Sequence, residues 1–278
     1  MGKRSRSDGG GAHKKFKSSG FIDPGTKGIY ATCMKGKELQ CKKELLNLFS
    51  QKLEEYYDLE AFKDEAEEAD AEGDAEAPAE VDIEDEIKKE LAEFKDNSNS
   101  KKVFLKPVDL GCGSLVFVKT KRPIEPDVFV EKICQECLDS KQKSTRYTQK
   151  LTPIVDSVSA SIDELKKLAK QVLAPHFHKE KDQQPLKFAI QVTKRNFNVI
   201  PRDEIIKNIA ECVGRDHGHK VDLKNYDKLI LVECFKSNIG MSVVSNYERL
   251  ERYNLQQIYE KNSEDDNSLS RVNPKEEA

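Results

Sequence analysis

The chain has 278 residues, of which 35% are charged and 37% hydrophobic, a polar composition that allows two domains of ordinary size and disordered segments. Residues 54–93 hold 19 Asp and Glu against three Lys, which leaves 44 basic and 31 acidic side chains, a net of +13, elsewhere. The basic body predicts phosphate-bearing partners, whereas the short apolar runs exclude a membrane span and the scattered seven cysteines exclude a disulfide framework.

The first half of the chain predicts a mixed unit of strands and helices. Residues 1–20 form a basic arm without the apolar stretch of a signal peptide, so we expect a disordered arm on a soluble, intracellular protein. The unit itself covers 21–139, and an acidic loop at about 58–82 is inserted within it. Its predicted elements are strands at 28–34, 103–110 and 115–120, and helices over 39–56, over 81–95 and from Pro126.

A polar stretch at 139–145 leads into a second unit with clean alternation of strands and helices. Its predicted elements are a strand at 150–160, a helix at 162–174, a strand at 186–193, a helix at 202–213, a short strand at Val221 and a hairpin over 228–244. An amphipathic helix at 248–260 and a polar tail follow.

The segment VDLGCGS (108–114) resembles the glycine loop with which methyltransferases hold S-adenosylmethionine. That chemistry needs the loop between a strand and a helix. Here Ser114 is followed by LVFVKTKRP, an alternating run closed by Pro123, so a hairpin turn is the favoured interpretation.

Three other motifs are weaker signals of chemistry. GFIDPGTKG (20–28) inverts the Lys-Thr order of a phosphate-binding loop and precedes a strand, so it predicts a turn. The pairs in PHFH (176–178) and DHGH (217–219) could bind zinc only if their loops met. Cys134 and Cys137 fall on a predicted helix and fit buried core thiols better than a metal site. GxSxG does not occur, and we predict no catalytic residue, cofactor or metal.

The segment FAIQVTKRNFN (188–198) places cations at the end of a core strand. Lys194 and Arg195 fall at its carboxyl edge, where α/β sheets bind ligands, and Asn196 and Phe197 follow. Arg can bind phosphate with two hydrogen bonds, and Phe197 offers a stacking face for a base. Further cations lie near other predicted strand ends: Lys119, Lys121, Arg122, Arg146, Lys150 and Lys236. Each alone fits an ordinary solvated charge, but together they predict an RNA-binding surface.

Several segments together resemble a THUMP domain over about 145–250: TRYTQKLTPI, LAPHFH, FAIQVTKRNFN and VDLKNYDKLILVECFKSNIGMSVV. The upstream SSGFIDPGTKGIYATC, the acidic insertion and FVKTKRPIEP further resemble the eukaryotic family of THUMP-domain tRNA acetylation adaptors. The resemblance implies an α/β (α+β) fold in which an N-terminal ferredoxin-like domain packs on the THUMP domain, followed by a C-terminal helix and tail at 251–278.

By resemblance, the two domains would bind the acceptor end of tRNA without catalysis. The protein would present serine and leucine tRNAs to a separate RNA cytidine acetyltransferase, which makes N4-acetylcytidine in the D-arm. Because the chain ends soon after the hairpin, we expect no methyltransferase, thiouridine-synthase or deaminase domain. We expect a nuclear, nucleolar location, with a further share of the protein in the cytoplasm.

Two other functions stay open. One is an S-adenosylmethionine-dependent RNA methyltransferase that uses the DLGCGS loop. The other is a protein-interaction scaffold whose acidic insert binds a basic partner, although a tolerated solvated loop is the favoured interpretation of the insert.

Overall fold

Two β-sheets and five α-helices make up the part of the chain that the computed structural model describes, residues 20–59, 62 and 104–269. The predicted basic arm, almost all of the acidic insert and the helix predicted at 81–95 lie outside these residues. Within the described segments, no helix combines the length and the apolar character needed to cross a bilayer.

The first sheet has the strand order β2-β3-β1-β4, and every neighbouring pair is antiparallel. Its strands are β1 (Gly28–Cys33), β2 (Leu105–Val108), β3 (Leu115–Thr120) and β4 (Thr148–Ile154). Helix α1 (Glu38–Tyr56) follows β1, and helix α2 (Pro126–Ser140) follows β3. This βαββαβ order is the ferredoxin-like arrangement that the sequence predicted.

Periodic apolar residues explain how the first domain packs. In α1 every fourth residue is buried, from Cys41 through Leu45 and Phe49 to Leu53, so one stripe of the helix faces the sheet. The ring of Phe49 meets that of Phe129 in α2 edge to face, with centroids 5.5 Å apart. Both helices therefore cover one face of the sheet and leave the other face open to the second domain.

The second sheet has the order β5-β9-β8-β6-β7, in which β6 is parallel to β7 and β8 and the other pairs are antiparallel. Its strands are β5 (Asp156–Ser159), β6 (Lys187–Arg195), β7 (Lys220–Val221), β8 (Lys228–Phe235) and β9 (Asn238–Val244). Helices α3 (Ile162–Phe177) and α4 (Arg202–Val213) share a core with one face of this sheet. Ser161 begins α3, where its hydroxyl accepts a 3.3 Å hydrogen bond from the Glu164 N–H.

Three differences between the predicted elements and the structure bear on the site or on the domain arrangement. The strand predicted at 150–160 is two strands, β4 and β5, which belong to different sheets and are joined by Val155 alone. Strand β6 continues to Arg195, so the cationic pair lies inside the strand rather than after it. The helix predicted at 248–260 is a short 3₁₀ turn, Glu251–Tyr253, followed by α5 (Leu255–Leu269), because Arg252 adopts a left-handed conformation with φ 57°.

The two sheets meet through a continuous hydrophobic core. Leu229, Leu231 and Val244 belong to the second sheet but share a buried cluster with the helices of the first domain and with α5. Ser242 Oγ donates a 2.8 Å hydrogen bond to the carbonyl of Pro153 in β4. A Cβ atom at Gly240 would lie only 2.7 Å from Ile154 Cγ2, so glycine permits this close approach.

Candidate RNA-binding interface

Lys194 and Arg195 lie on opposite faces of the second sheet, because successive side chains of a strand alternate. Lys194 shares a face with Phe188 and Val192, which pack under the helices. Its ammonium donates a 3.0 Å hydrogen bond to the Ile200 carbonyl. Arg195 lies on the face of Ala189, which packs toward the first domain. The two adjacent cations therefore do not act as one pair.

Phe197 does not offer the stacking face that the sequence suggested. Only 2% of the residue is exposed, and it belongs to the core under α3 and α4. The Lys194 ammonium lies 5.5 Å from the centre of its ring. Asn196 is exposed and takes a left-handed conformation with φ 52°, which fits the turn that ends β6. Phe197 anchors this turn instead of contacting a base.

Arg195 lies in a polar cluster at the junction of the two domains. Glu233 of β8 is only 7% exposed, and Tyr30 of β1 is 5% exposed. Burial raises the pKa of Glu233, while a hydrogen bond from Thr193 and the positive charges of Arg195 and Lys150 act in the opposite direction. Burial, and then the charge of Glu233, raise the pKa of Tyr30. Cations from both domains thus share one buried carboxylate.

Two hydrogen-bond donors in this cluster are buried without a partner. Arg195 Nε and the Tyr30 hydroxyl reach no acceptor within the described part of the chain. Buried polar groups are almost always hydrogen-bonded, and leaving one unpaired costs about 1–3 kcal/mol. Both donors are also closed to solvent, so they mark an unpaired polar cluster beneath the surface and not an exposed phosphate site.

Strand β4 brings further cations to the same end of the first sheet. Lys150 lies opposite Thr32 of β1, and its ammonium lies 5.4 Å from the ring of Tyr247. The exposed Arg146, just before β4, lies with its guanidinium 5.4 Å from the centre of the Tyr147 ring. Glu44 of α1 fixes this segment, since its carboxylate accepts hydrogen bonds from consecutive backbone N–H groups of residues 146–148.

The loop between β1 and α1 adds two cations that the sequence analysis missed. The Met34 N–H donates a 3.3 Å hydrogen bond to the Tyr147 carbonyl, which ties this loop to the start of β4. Lys35 and Lys37 follow in the loop, and both are exposed. We use the term basic junction for five residues: Lys35, Lys37, Arg146, Lys150 and Arg195. A count of positive residues after β1 could have identified the two lysines, but not their proximity to β4.

Lys119, Lys121 and Arg122 lie at the opposite end of the first sheet. Lys119 pairs with Gly28, the first residue of β1, whereas Thr148 at the start of β4 pairs with Cys33, the last residue of β1. The end of β3 is thus separated from the start of β4 by the length of β1. These three cations cannot contribute to the basic junction.

Lys236 has a structural role at the hairpin turn between β8 and β9. Its ammonium donates hydrogen bonds of 2.5 Å to the Gly20 carbonyl and 3.3 Å to the Leu110 carbonyl. It also lies 4.7 Å from the ring of Phe21. Lys236 therefore holds two loops of the first domain against the second sheet.

The motifs that resemble enzyme sites have structural explanations. Because β2 and β3 are antiparallel, GCGS forms a hairpin connection and not a strand-to-helix loop, as predicted. Residues 20–27 form the predicted turn, and the Gly25 N–H donates a 2.6 Å hydrogen bond to the Ser157 carbonyl of β5. Cys134 and Cys137 are buried in α2, as predicted.

The two histidine loops do meet, with the rings of His178 and His217 centred 6.1 Å apart and those of His217 and His219 5.8 Å apart. Both nitrogens of His219 are used by backbone groups, the carbonyl of Phe177 and the N–H of Leu186. Among the described residues, no group of three or more His, Cys, Asp or Glu side chains could hold a metal ion. These histidines join α3, α4 and the β7 region.

Comparison with known proteins identifies the family to which this architecture belongs. The family model of the THUMP domain matches residues 159–244, from the last residue of β5 to the end of β9. The protein named tRNA acetyltransferase TAN1 of Saccharomyces cerevisiae is 46% identical over 266 residues, which cover 89% of this chain and 90% of that protein. This chain belongs to the family of THUMP-domain proteins. The resemblance seen in the sequence is therefore confirmed.

Two further relatives also match most of the chain. An uncharacterised protein of Schizosaccharomyces pombe is 37% identical over 88% of this chain and 79% of its own length. THUMP domain-containing protein 1 of Bos taurus is 32% identical over 98% of this chain and 71% of its own length. The similarity to these relatives thus covers both sheets. Strand β4 precedes the segment that matches the THUMP family model and belongs to the first sheet.

Proposed function

We propose that this THUMP-domain protein binds tRNA in the pathway of tRNA acetylation. More narrowly, it is a non-catalytic adaptor that presents serine and leucine tRNAs to a separate RNA cytidine acetyltransferase for N4-acetylcytidine formation in the D-arm. The similarity over nine-tenths of the length of a protein named tRNA acetyltransferase supports the pathway. The location that goes with this role is the nucleus and nucleolus.

The observation that carries the proposal is the basic junction. It joins cations of β4, β6 and the β1–α1 loop at the meeting of two domains, in a chain whose residues outside 54–93 carry a net +13. Phosphate contacts fix the register of a nucleic acid, and a site on rigid strands holds its contacts at constant spacing. The junction would contact the acceptor end of tRNA through its phosphates.

The sequence supports the adaptor role over acetyl transfer by this chain itself. The acetyl-coenzyme A loop pattern of acetyltransferases, Arg/Gln-x-x-Gly-x-Gly/Ala, is matched once, by RSDGGG at 6–11, which precedes every described strand and helix of the two domains. A cavity of about 660 Å³ lies beside Lys207, Gly214 and Val221, between α4 and the β7 edge. The basic junction lies on the other face of the second sheet, so this cavity would not bring a cofactor to RNA bound there.

Two experiments test the proposal at its two levels. Nucleoside mass spectrometry of small RNA from cells with and without the gene should show selective loss of N4-acetylcytidine. A loss of a methylated nucleoside with acetylcytidine intact would instead favour the DLGCGS loop as a methyltransferase site.

The adaptor role is tested by reconstitution with serine tRNA and acetyl-coenzyme A. We expect acetylation only when the separate acetyltransferase is added, and faster acetylation when this protein is also present. Acetylation by this protein alone would show that it is an enzyme and would refute the adaptor role.

A further inference from the structure

We propose that Glu233 is an internal counter-ion of Arg195 and Lys150, and that an RNA phosphate takes its place when RNA binds. Glu233 would thereby determine specificity, because it weakens contacts with polyanions that do not fit the junction. This inference rests on the proposed tRNA-binding function and assigns a role to a residue that does not itself contact RNA.

The register of the second sheet places Glu233 beside Arg195. Strands β6 and β8 are parallel, with Thr193 opposite Glu233 and Arg195 opposite Phe235, so Glu233 and Arg195 are diagonal neighbours on one face. This face meets the first domain, which contributes Lys150 from β4. The charges of Arg195 and Lys150 both favour the ionised form of Glu233. One carboxylate thus offsets two cations from two domains.

Glu233 offsets these charges without using up their hydrogen bonds. Arg195 Nε makes no hydrogen bond to Glu233 or to any other described group, and the Tyr30 hydroxyl is likewise unpaired. A close ion pair would have occupied the guanidinium with the carboxylate. Arg195 is partly exposed, so a phosphate can approach the outer part of its side chain, while its Nε and the Tyr30 hydroxyl stay closed to solvent.

Phosphate binding would oppose the charge on Glu233. A phosphate beside the buried carboxylate is a like charge, and like charges favour the protonated acid. The groups that face Glu233 are Thr193 and Arg195 of β6, Lys150 of β4 and Tyr30 of β1, while the neighbouring Cys234 of β8 lies on the opposite face of the sheet. Burial raises the pKa of Cys234 to about 12 and also raises the pKa of Tyr30, so Glu233 is the acidic group of this set that ionises most readily.

RNA binding is therefore coupled to proton uptake by Glu233. The affinity should fall as the pH rises from the pKa of this carboxyl in the free protein to its higher pKa in the complex. An RNA that cannot place a phosphate against Arg195 gains nothing from this exchange and meets a junction with reduced positive charge.

The test compares Glu233→Gln with Glu211→Gln in the full-length chain. The first variant keeps the shape and an acceptor for Thr193 but removes the charge. The control removes the same charge from an exposed position on α4, which packs on the other face of the second sheet. Affinities for serine tRNA made by in vitro transcription and for polyuridine are measured by fluorescence anisotropy from about pH 5 to about pH 8, because burial raises the pKa of Glu233 above that of an ordinary Glu.

We expect Glu233→Gln to bind tRNA about threefold to tenfold more tightly at neutral pH, as removal of one unit charge beside two phosphate ligands implies. It should gain more on polyuridine than on tRNA and should lose most of the pH dependence. Glu211→Gln should change affinity less than about twofold, because exposed distant charges are screened. Equal effects of the two substitutions, or weaker binding by a folded Glu233→Gln protein, would overturn the inference.

A second measurement needs no variant. Calorimetry of the wild-type chain with tRNA, in two buffers of different ionisation enthalpy, gives the number of protons taken up on binding. We expect net uptake, and zero uptake would refute the proton-coupled exchange while leaving tRNA binding intact. Absence of any tRNA binding by the wild-type chain would refute the proposed function as well.

Discussion

Replacing each of two adjacent cations separately would test the assignment of the interface most sharply. Lys194→Ala and Arg195→Ala remove the same charge from neighbouring residues of β6, so long-range electrostatics change almost equally. The structure nevertheless places Arg195 on the face that meets the first domain and commits the Lys194 ammonium to the Ile200 carbonyl on the other face. Only Arg195→Ala should remove a phosphate ligand.

The expected size follows from the kind of contact. A hydrogen bond to a charged group contributes about 1.5–3 kcal/mol, so loss of Arg195 should weaken tRNA binding roughly tenfold to a hundredfold. Each neutralised phosphate adds about 0.9 to the slope of log affinity against log salt, so the slope should fall by about one contact. Lys194→Ala should weaken binding about twofold or less and leave the slope unchanged.

The assay is a salt titration of tRNA binding for both variants, with thermal unfolding as a check that each is folded. A similar loss of affinity in the two variants would show that bulk charge at the strand end, and not the face of the sheet, controls binding. A larger loss for Lys194→Ala would place the RNA on the helix-covered face and refute the basic junction.

Three further predictions concern stability. Phe197→Ala should destabilise the fold by about 3–5 kcal/mol in urea unfolding, as loss of a core ring does, while the folded fraction keeps its tRNA affinity; a large affinity loss at unchanged stability would restore the stacking role. Gly240→Ala should lower the melting temperature through a cost of about 1–3 kcal/mol, because the new Cβ would lie 2.7 Å from Ile154 Cγ2; an unchanged melting temperature would mean that the junction yields easily. Burial lowers the pKa of His176 from 6.5 to about 4, so the unfolded chain binds an extra proton and the free energy of unfolding should fall as the pH drops through this interval. His176→Gln should reduce that fall. Equal acid sensitivity of the variant and the wild type would exclude this histidine as a cause of acid unfolding.

Periodicity predicted most of the secondary structure because most elements bury a single regular stripe. The limits of α4 agree with the prediction, and β3 was predicted residue for residue, since apolar residues and clear breaks mark both. The prediction of one strand at 150–160 was wrong for a physical reason. Its alternation continues across Val155, and nothing local in a strand shows that its hydrogen-bonding partner changes from β1 to β9.

The sequence predicted which residues could form the candidate site but not how the fold arranges them. The sequence identified Arg195, Lys150 and Arg146 as cations, but it grouped them with Lys194, Lys119 and Lys236, which the fold directs elsewhere. Strand alternation would have separated Lys194 from Arg195 if the end of β6 had been known. The role of Glu233 could not be predicted from the sequence. A single acidic residue in an apolar strand can be interpreted only when its neighbours on other strands are known.

The connection of β4 to β5 through Val155 has a mechanical consequence. Two domains joined by a long linker can adjust their separation to the object that they hold. Here one residue separates strands of two sheets that also share a hydrophobic core, so the span between the two halves of the basic junction has no slack. The distance between these two halves is therefore fixed by the fold. The protein would bind only an RNA whose backbone has the matching width.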